Sequence, residues 1–223
     1  LYYDAEKWRE ANIRTITELE PDVFWAQTAT LSGQALELLG PLQMRWPGFN
    51  VPENLSHQMV ELEPMKADEY ESFFRDPSDY IMRVYLPRVF ESAVPMSNLT
   101  PFRSLLGPWG MASYLAQFTR PEMAEMIRKF ARAAELQAQW QKRDADFTDY
   151  MARLGFPSYN TSRLMAGAPF DMISDFLRGM RGAMLDMYRL PDKLLEACEM
   201  FCEETLKTIK ASPAPGDNSV RRV

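Results

Sequence analysis

The order of elements along this chain predicts an α/β fold, helix-rich and forming part of a (β/α)8 TIM-type barrel whose later strands are missing. Short apolar runs, most with a helical pattern after them, recur along the chain, the signature of β/α units rather than of a helix bundle. Helical periodicity dominates the remainder. The 223 residues also fall short of the roughly 250 that a closed eight-unit barrel occupies, and only three or four strands are expected.

In chain order, Asp4 is placed to cap a first helix running to about Leu19, with Trp8, Ala11 or Asn12, Thr15 and Leu19 along one side. Residues 21–26 form a short apolar run after a helix end, as a buried parallel strand does. Residues 31–39 read as a helix closed by Gly40 in a left-handed cap. Residues 43–50 read as a strand entering the Pro47-Gly48 turn. Residues 57–63 alternate with period two and read as another strand. Residues 66–74 and 78–90 are helical, with Pro77 near the second start and Pro87 bending its end.

Pro and Gly are dense from Ala93 to Gly110, which predicts an irregular loop. Thr119-Arg-Pro-Glu122 has the form of a capping box with Pro in the first turn. The helix that follows is expected to reach Leu154 and stop at Gly155, in one piece or two. Residues 156–165 are a third strand candidate of this type. Leu190-Pro-Asp-Lys opens a last helix, with Leu194/Leu195, Cys198, Phe201/Cys202, Thr205/Leu206 and Ile209 on its buried face. The domain so drawn covers residues 1–210; residues 211–223 hold turn formers without periodicity and read as a disordered tail. Leu1 is no initiator, and the chain reads as a piece of a larger protein.

Residues 168–189 are the most distinctive stretch. Read as one helix from Pro169, they set Ile173, Leu177, Met180 and Met184 on an apolar stripe, and Asp171, Asp175 and Arg178 on another face. Two carboxylates one turn apart repel unless a cation lies between them, and Arg178 or a ligand can be that partner. Gly179 and Gly182 each weaken a helix interior by about 1 kcal/mol relative to Ala, so a bend or a close approach is expected there.

A formal charge of −6 argues against nucleic acid as the main partner, since no basic stripe stands ready to release phosphate counterions. No apolar run reaches eighteen residues, which argues against a membrane span. Cys198 and Cys202 at i, i+4 on one helix suit core packing better than a disulfide, so the chain reads as cytoplasmic and reduced. His57 is the only histidine and reads as structural or solvent-facing. The fifteen methionines are mostly core, with an adaptable pocket wall as the alternative. Trp46-Pro47-Gly48 is either a structural turn or a ligand platform. Arg88 and Glu61 are weaker candidates, explicable as solvated charges.

Tyr3-Asp4, Glu20-Pro-Asp22, Leu42-Gln-Met-Arg-Trp-Pro-Gly48, residues 58–77, Leu86-Pro-Arg88 and residues 167–191 together resemble the uroporphyrinogen decarboxylase superfamily. The resemblance spans residue 3 to about 205. That superfamily holds the haem-pathway decarboxylases and the zinc-dependent corrinoid methyltransferases. It implies a (β/α)8 barrel with its site at the C-terminal ends of the strands, of which this chain covers the front and middle. The candidate substrate-binding set is Phe170, Asp171, Asp175, Arg178 and Trp46. Gly167-Ala-Pro-Phe-Asp-Met-Ile-Ser-Asp175 looks like the decarboxylases' strand-to-helix turn beside the substrate, with Asp171 in place of their Thr and Asp175 in place of their substrate-contacting Tyr. Their catalytic Asp would align near Thr30 or Leu31, where no acid stands.

The departures point to the methyltransferase branch. For the intact protein the resemblance implies a corrinoid of methylcobalamin type and zinc held by a His and two Cys, ligands expected in the part this chain lacks. The substrate would be a small molecule or a corrinoid protein, and the acceptor a thiol. Decarboxylation of a tetrapyrrole is the alternative. A third reading is a non-catalytic half-barrel, paired with a second copy or a complementary C-terminal half. In all three cases the isolated chain is expected to have little or no turnover.

Overall fold

In a computed structural model, residues 2–24, 31–158 and 167–211 are described. Helix α1 (Ala5–Leu19) is capped as its sequence requires, Asp4 accepting a hydrogen bond from the Lys7 N–H at 3.0 Å. Its buried side is Trp8, Asn12 and Ile16, while Leu19 is exposed. Helix α2 (Gly33–Leu39) ends in the expected left-handed cap at Gly40. A three-stranded sheet follows: β1 (Met44–Pro47) lies between β2 (Asn50–Val51), parallel, and β3 (Gln58–Met59), antiparallel.

Both sheet strands are shorter than their sequence patterns. The alternation over residues 57–63 yields only two paired residues, because β1 offers Met44 and Arg45 as partners and then turns toward β2. The runs at 21–26 and 156–165 meet where they are described. Phe24 and Ser158 form a parallel bridge, with the Phe24 N–H donating to the Pro157 carbonyl at 3.0 Å. The remainder of both runs, and the tail from residue 212, lie outside the described residues. Among those residues the strands do not close a barrel, and the molecule is a helix-rich chain with one small sheet.

Helices α3 (Tyr70–Arg75), α4 (Pro77–Tyr80) and α5 (Leu86–Val89) follow, α4 and α5 joined through a π turn at Ile81–Tyr85. The expected irregular loop is more ordered than its composition suggests. It contains 3-10 turns at Glu91–Asn98 and Phe102–Ser104, and helix α6 (Gly107–Ala116), which Pro108 opens from its first turn. Helix α7 (Pro121–Arg153) runs unbroken over 33 residues. Its predicted capping box does not form: the N-cap is Arg120, without a side-chain cap, and the Thr119 hydroxyl donates instead to the Ala116 carbonyl. Helices α8 (Pro169–Asp171), α9 (Met180–Arg189) and α10 (Pro191–Ala211) complete the described residues. Among the described residues no helix is long and apolar enough to cross a membrane.

The core beneath the 167–189 segment gathers Met65, Tyr70, Phe73, Ile173, Leu177 and Ala183 with Leu194 and Ala197 of α10. The rest of the predicted buried face of α10 is less covered: Cys202 is exposed, and so are Leu195 and Leu206. Arg88 is no isolated surface charge. Its two terminal nitrogens donate to the two oxygens of Glu69 at 2.7 and 2.8 Å, and Glu69 also accepts from the Tyr80 hydroxyl at 2.9 Å. Those Arg88 hydrogen bonds hold the Glu69 carboxyl down from 4.5 to about 2 against the opposing effect of burial. Its value is lower folded than unfolded, so its stabilisation is complete above about pH 4.5 and is lost as the pH falls through about 2. Glu69→Gln is expected to cost roughly 1 kcal/mol at neutral pH. It should also flatten the fall in urea midpoint between pH 4.5 and pH 2. An unchanged acid limb would remove Glu69 as its source.

Candidate functional site

The segment that begins at Gly167 is not one helix. Pro169 opens α8, but from Met172 to Leu177 the backbone widens into a π turn, closed by the Arg178 N–H donating to the Ile173 carbonyl at 2.7 Å. Gly179, at φ 73° and ψ 153°, then breaks the chain before α9. The extra residue in the turn shifts everything after it around the helix axis, and the predicted faces separate. Ile173 and Leu177 are buried, but Met180 and Met184 are exposed. Asp171 and Asp175 remain on the outer surface, while Arg178 turns inward.

Arg178 is therefore not the partner of the two aspartates. Its side chain is 3% exposed, with Nε donating to Asp186 Oδ2 at 2.6 Å and Nη2 to Asp186 Oδ1 at 3.2 Å. Its Nη1 donates to Glu63 at 2.6 Å and to the Met65 carbonyl. The Tyr70 hydroxyl completes the cluster on Asp186 Oδ2 at 2.8 Å. Burial by itself would lower the Arg178 value, but the bonds to Asp186 and Glu63 outweigh it and hold the guanidinium above its ordinary range. Burial, and then the bond to Asp186, push the Tyr70 phenol up. Gly182 is small for this reason: a Cβ there would lie 3.2 Å from the guanidinium carbon. Sequence periodicity missed Asp186 and Glu63, and Gly182 beneath the guanidinium was the available signal.

Phe170 is half-buried against the same core. Asp171 and Asp175 are exposed and form no ion pair with a described residue. The Ser174 hydroxyl, 3.4 Å from Asp175 Oδ1, is the polar group beside them. Glu61, read from sequence as a surface charge, accepts from the Arg181 N–H at 2.9 Å and so holds the start of α9. Phe170, Asp171 and Asp175 are thus brought together at one helix start, with Arg178 behind them.

Trp46 belongs to a different group. It is 1% exposed, stacks on Phe49 at 4.7 Å, and its indole N–H donates to the Tyr3 hydroxyl at 3.0 Å. That arrangement makes Trp46 the floor of the Pro47-Gly48 turn; the half-exposed ring above it is Phe49. Away from both groups, an apolar groove of about 400 Å³ runs between α2, α5 and α7, lined by Leu36, Leu39, Leu86, Phe90 and Phe130.

The chain matches no protein-family model, no curated protein and no solved structure. What can be said of its chemistry comes from the side chains. No three His, Cys, Asp or Glu side chains converge as a metal-binding group among the described residues. His57 is exposed before β3, Cys198 is packed against the core with its thiol pushed up by burial, and Cys202 faces outward. These residues do not fit a zinc centre. The Gly167–Asp175 segment offers hydrogen-bond acceptors and negative charge, with the guanidinium of Arg178 already engaged.

Proposed function

We propose that this chain contributes part of the rim of a uroporphyrinogen-decarboxylase-type β/α barrel that serves methyl transfer from a corrinoid rather than decarboxylation of a porphyrinogen. The parallel Phe24–Ser158 bridge supports the barrel, since it pairs the two runs that the resemblance makes barrel strands. The second of them leads to the Gly167-Ala168-Pro169 turn and a helix start, the order of a β/α unit. One observation carries the choice of substrate: Asp171 and Asp175 stand exposed while Arg178 is committed to Asp186 and Glu63.

A porphyrinogen rimmed with carboxylates meets two like charges there, and Arg178 is not free to neutralise them. A corrinoid carries neutral carboxamides on its edge, whose N–H groups can donate to Asp171 and Asp175. When bound, a methyl-corrinoid supplies an electrophilic methyl group. Phe170 offers an apolar edge beside the carboxylates, and Asp171 and Asp175 orient the ring periphery through hydrogen bonds. The described residues place no acid, base or metal ligand at a reacting atom, and no further step is assigned to them.

Calorimetric titration with hydroxocobalamin and with uroporphyrin tests this reading. Cobalamin is expected to bind and uroporphyrin not to. Reversing both charges (Asp171→Lys with Asp175→Lys) should raise uroporphyrin affinity by about tenfold or more at low salt, given about 1 kcal/mol per unit charge at contact in water. Uroporphyrin binding by the unaltered chain, or loss of porphyrinogen carboxyl groups in its presence, would overturn the corrinoid reading in favour of the decarboxylase one.

A further inference from the structure

We propose that helix α6 and the turn before it dock on an anionic lipid surface, with α6 lying in the plane of the headgroups. The charge pattern of residues 92–121 is the first reason. Glu91 and Glu122 flank this stretch, which contains no acid, and its two charges are Arg103 and Arg120. It is thus a basic segment in a chain of formal charge −6. Helix α6 itself (Gly107–Ala116) has no charged residue.

The fold anchors one side of this segment and leaves the other open. Tyr114 is the buried residue of α6, its ring 5.4 Å from that of Phe118 and 5.5 Å from that of Phe102. With Leu105 and Phe118 it packs on Met96, Leu99, Met123 and Met126. Away from that anchor, Leu106 and Trp109 are 85% and 81% exposed, and Phe102, Met111 and Leu115 are exposed with them. Gly110 holds α6 against the preceding turn, since a Cβ there would stand 2.5 Å from the Ser104 carbonyl oxygen. Phe102, Arg103 and α6 therefore form one continuous surface. Residues 93–110 read from sequence as an irregular loop, so the sequence reading had no face to assign there.

The chemistry of that surface selects lipid over a protein partner. A protein interface carries about one hydrogen bond per 100–200 Å² and a polar rim. The exposed side chains of α6 offer only the Ser113 hydroxyl and the Trp109 indole N–H. A bilayer asks for no such pattern, and an indole suits its headgroup boundary, ring toward the acyl chains and N–H toward the headgroups. Arg103 and Arg120 are exposed, and their long stems let the guanidinium groups reach lipid phosphates beside a buried apolar face. Asp79 lies within electrostatic reach of Arg103 but is paired with Arg83 at 2.5 Å. At 10 residues α6 is about 15 Å long. That is half of a hydrocarbon core of about 30 Å, so the helix lies on the membrane and does not span it.

Cosedimentation with vesicles tests the surface, using phosphatidylcholine alone and phosphatidylcholine mixed with phosphatidylserine. The chain is expected to bind the mixed vesicles at least tenfold more tightly, at about 1 kcal/mol per arginine near an anionic surface. Its tryptophan emission should shift to the blue on binding, and Trp109→Phe should remove that shift while keeping most of the affinity. Leu106→Ser combined with Trp109→Ser should weaken binding at least tenfold. That variant should not lower the melting temperature, because both side chains are exposed and Leu106 is the N-cap of α6, a position that Ser suits. Arg103→Gln combined with Arg120→Gln should reduce affinity for the mixed vesicles to that for phosphatidylcholine alone. Failure to bind either vesicle, equal binding to both, or undiminished binding by Leu106→Ser with Trp109→Ser would overturn the proposal. A solution dimer that ignores vesicles and that the same double variant splits into monomers would overturn it too, and would assign the face to a second copy of the chain.

Discussion

Arg178→Met is expected to destabilise the fold by about 3–5 kcal/mol, the cost of leaving one member of a buried ion pair without its partner. Asp186 is 2% exposed, and without Arg178 its carboxylate would keep only the Tyr70 hydroxyl, 2.8 Å away. A protein of this size has only about 5–15 kcal/mol of net stability, so the loss is a large part of the whole. Removing both charges is a different matter. In Arg178→Met combined with Asp186→Leu no buried charge remains, and most of the loss should be recovered, as it is when apolar side chains replace a buried pair. Glu63 is the weak arm of the cluster, with a side chain 46% exposed, and Glu63→Gln should cost at most about 1 kcal/mol. Urea unfolding midpoints of the three variants check this directly. A loss in Arg178→Met below about 1 kcal/mol, or a double variant no better than Arg178→Met, would show that water reaches Asp186 and that the pair is not buried in solution.

What could be read from the sequence and what could not divide by range. Asp4 as an N-cap, Gly40 as a left-handed C-cap, and the proline starts of α7 and α10 act within one turn of their own position, and each stands where the residues placed it. The π turn at Met172–Leu177 depends on partners far away in sequence. Leu177 accepts from the Met65 N–H at 2.8 Å, and Arg178 reaches Glu63 and Met65. No periodicity within residues 169–184 encodes those contacts, so a regular helix was the natural reading, and it carried Arg178 to the wrong face. The same limit shortened the strands: alternation over residues 57–63 shows that a strand is possible there, but β1 decides how many residues pair. The candidate site was legible as a stretch. Phe170, Asp171 and Asp175 do share one helix start, but the cation assigned to them serves the core, and Trp46 serves the Pro47-Gly48 turn.

Gly179→Ala is expected to cost about 2–4 kcal/mol, and its reasons separate cleanly from an ordinary glycine replacement. At φ 73° and ψ 153° the backbone occupies a region that is essentially restricted to glycine. A Cβ would in addition stand 2.5 Å from the carbonyl oxygen of Leu62, a backbone atom that cannot swing aside as a side chain does. Leu62 is flanked by groups that tie residues 61–65 to the break. Glu61 holds the Arg181 N–H, and Met65 binds both the Leu177 carbonyl and Arg178. Displacing the Leu62 carbonyl therefore loosens the Arg178–Asp186 pair as well, and Gly179→Ala combined with Arg178→Met should cost less than the sum of the two. Gly107 provides the control: its φ is 72°, yet a Cβ there would meet nothing within 4 Å. Gly107→Ala thus reports a left-handed backbone without the collision, and is expected to cost about 1 kcal/mol. The excess of Gly179→Ala over Gly107→Ala measures how firmly residues 61–65 clamp the start of α9. An excess near zero would mean that the segment yields, and that the break at Gly179 is a flexible joint rather than a locked one.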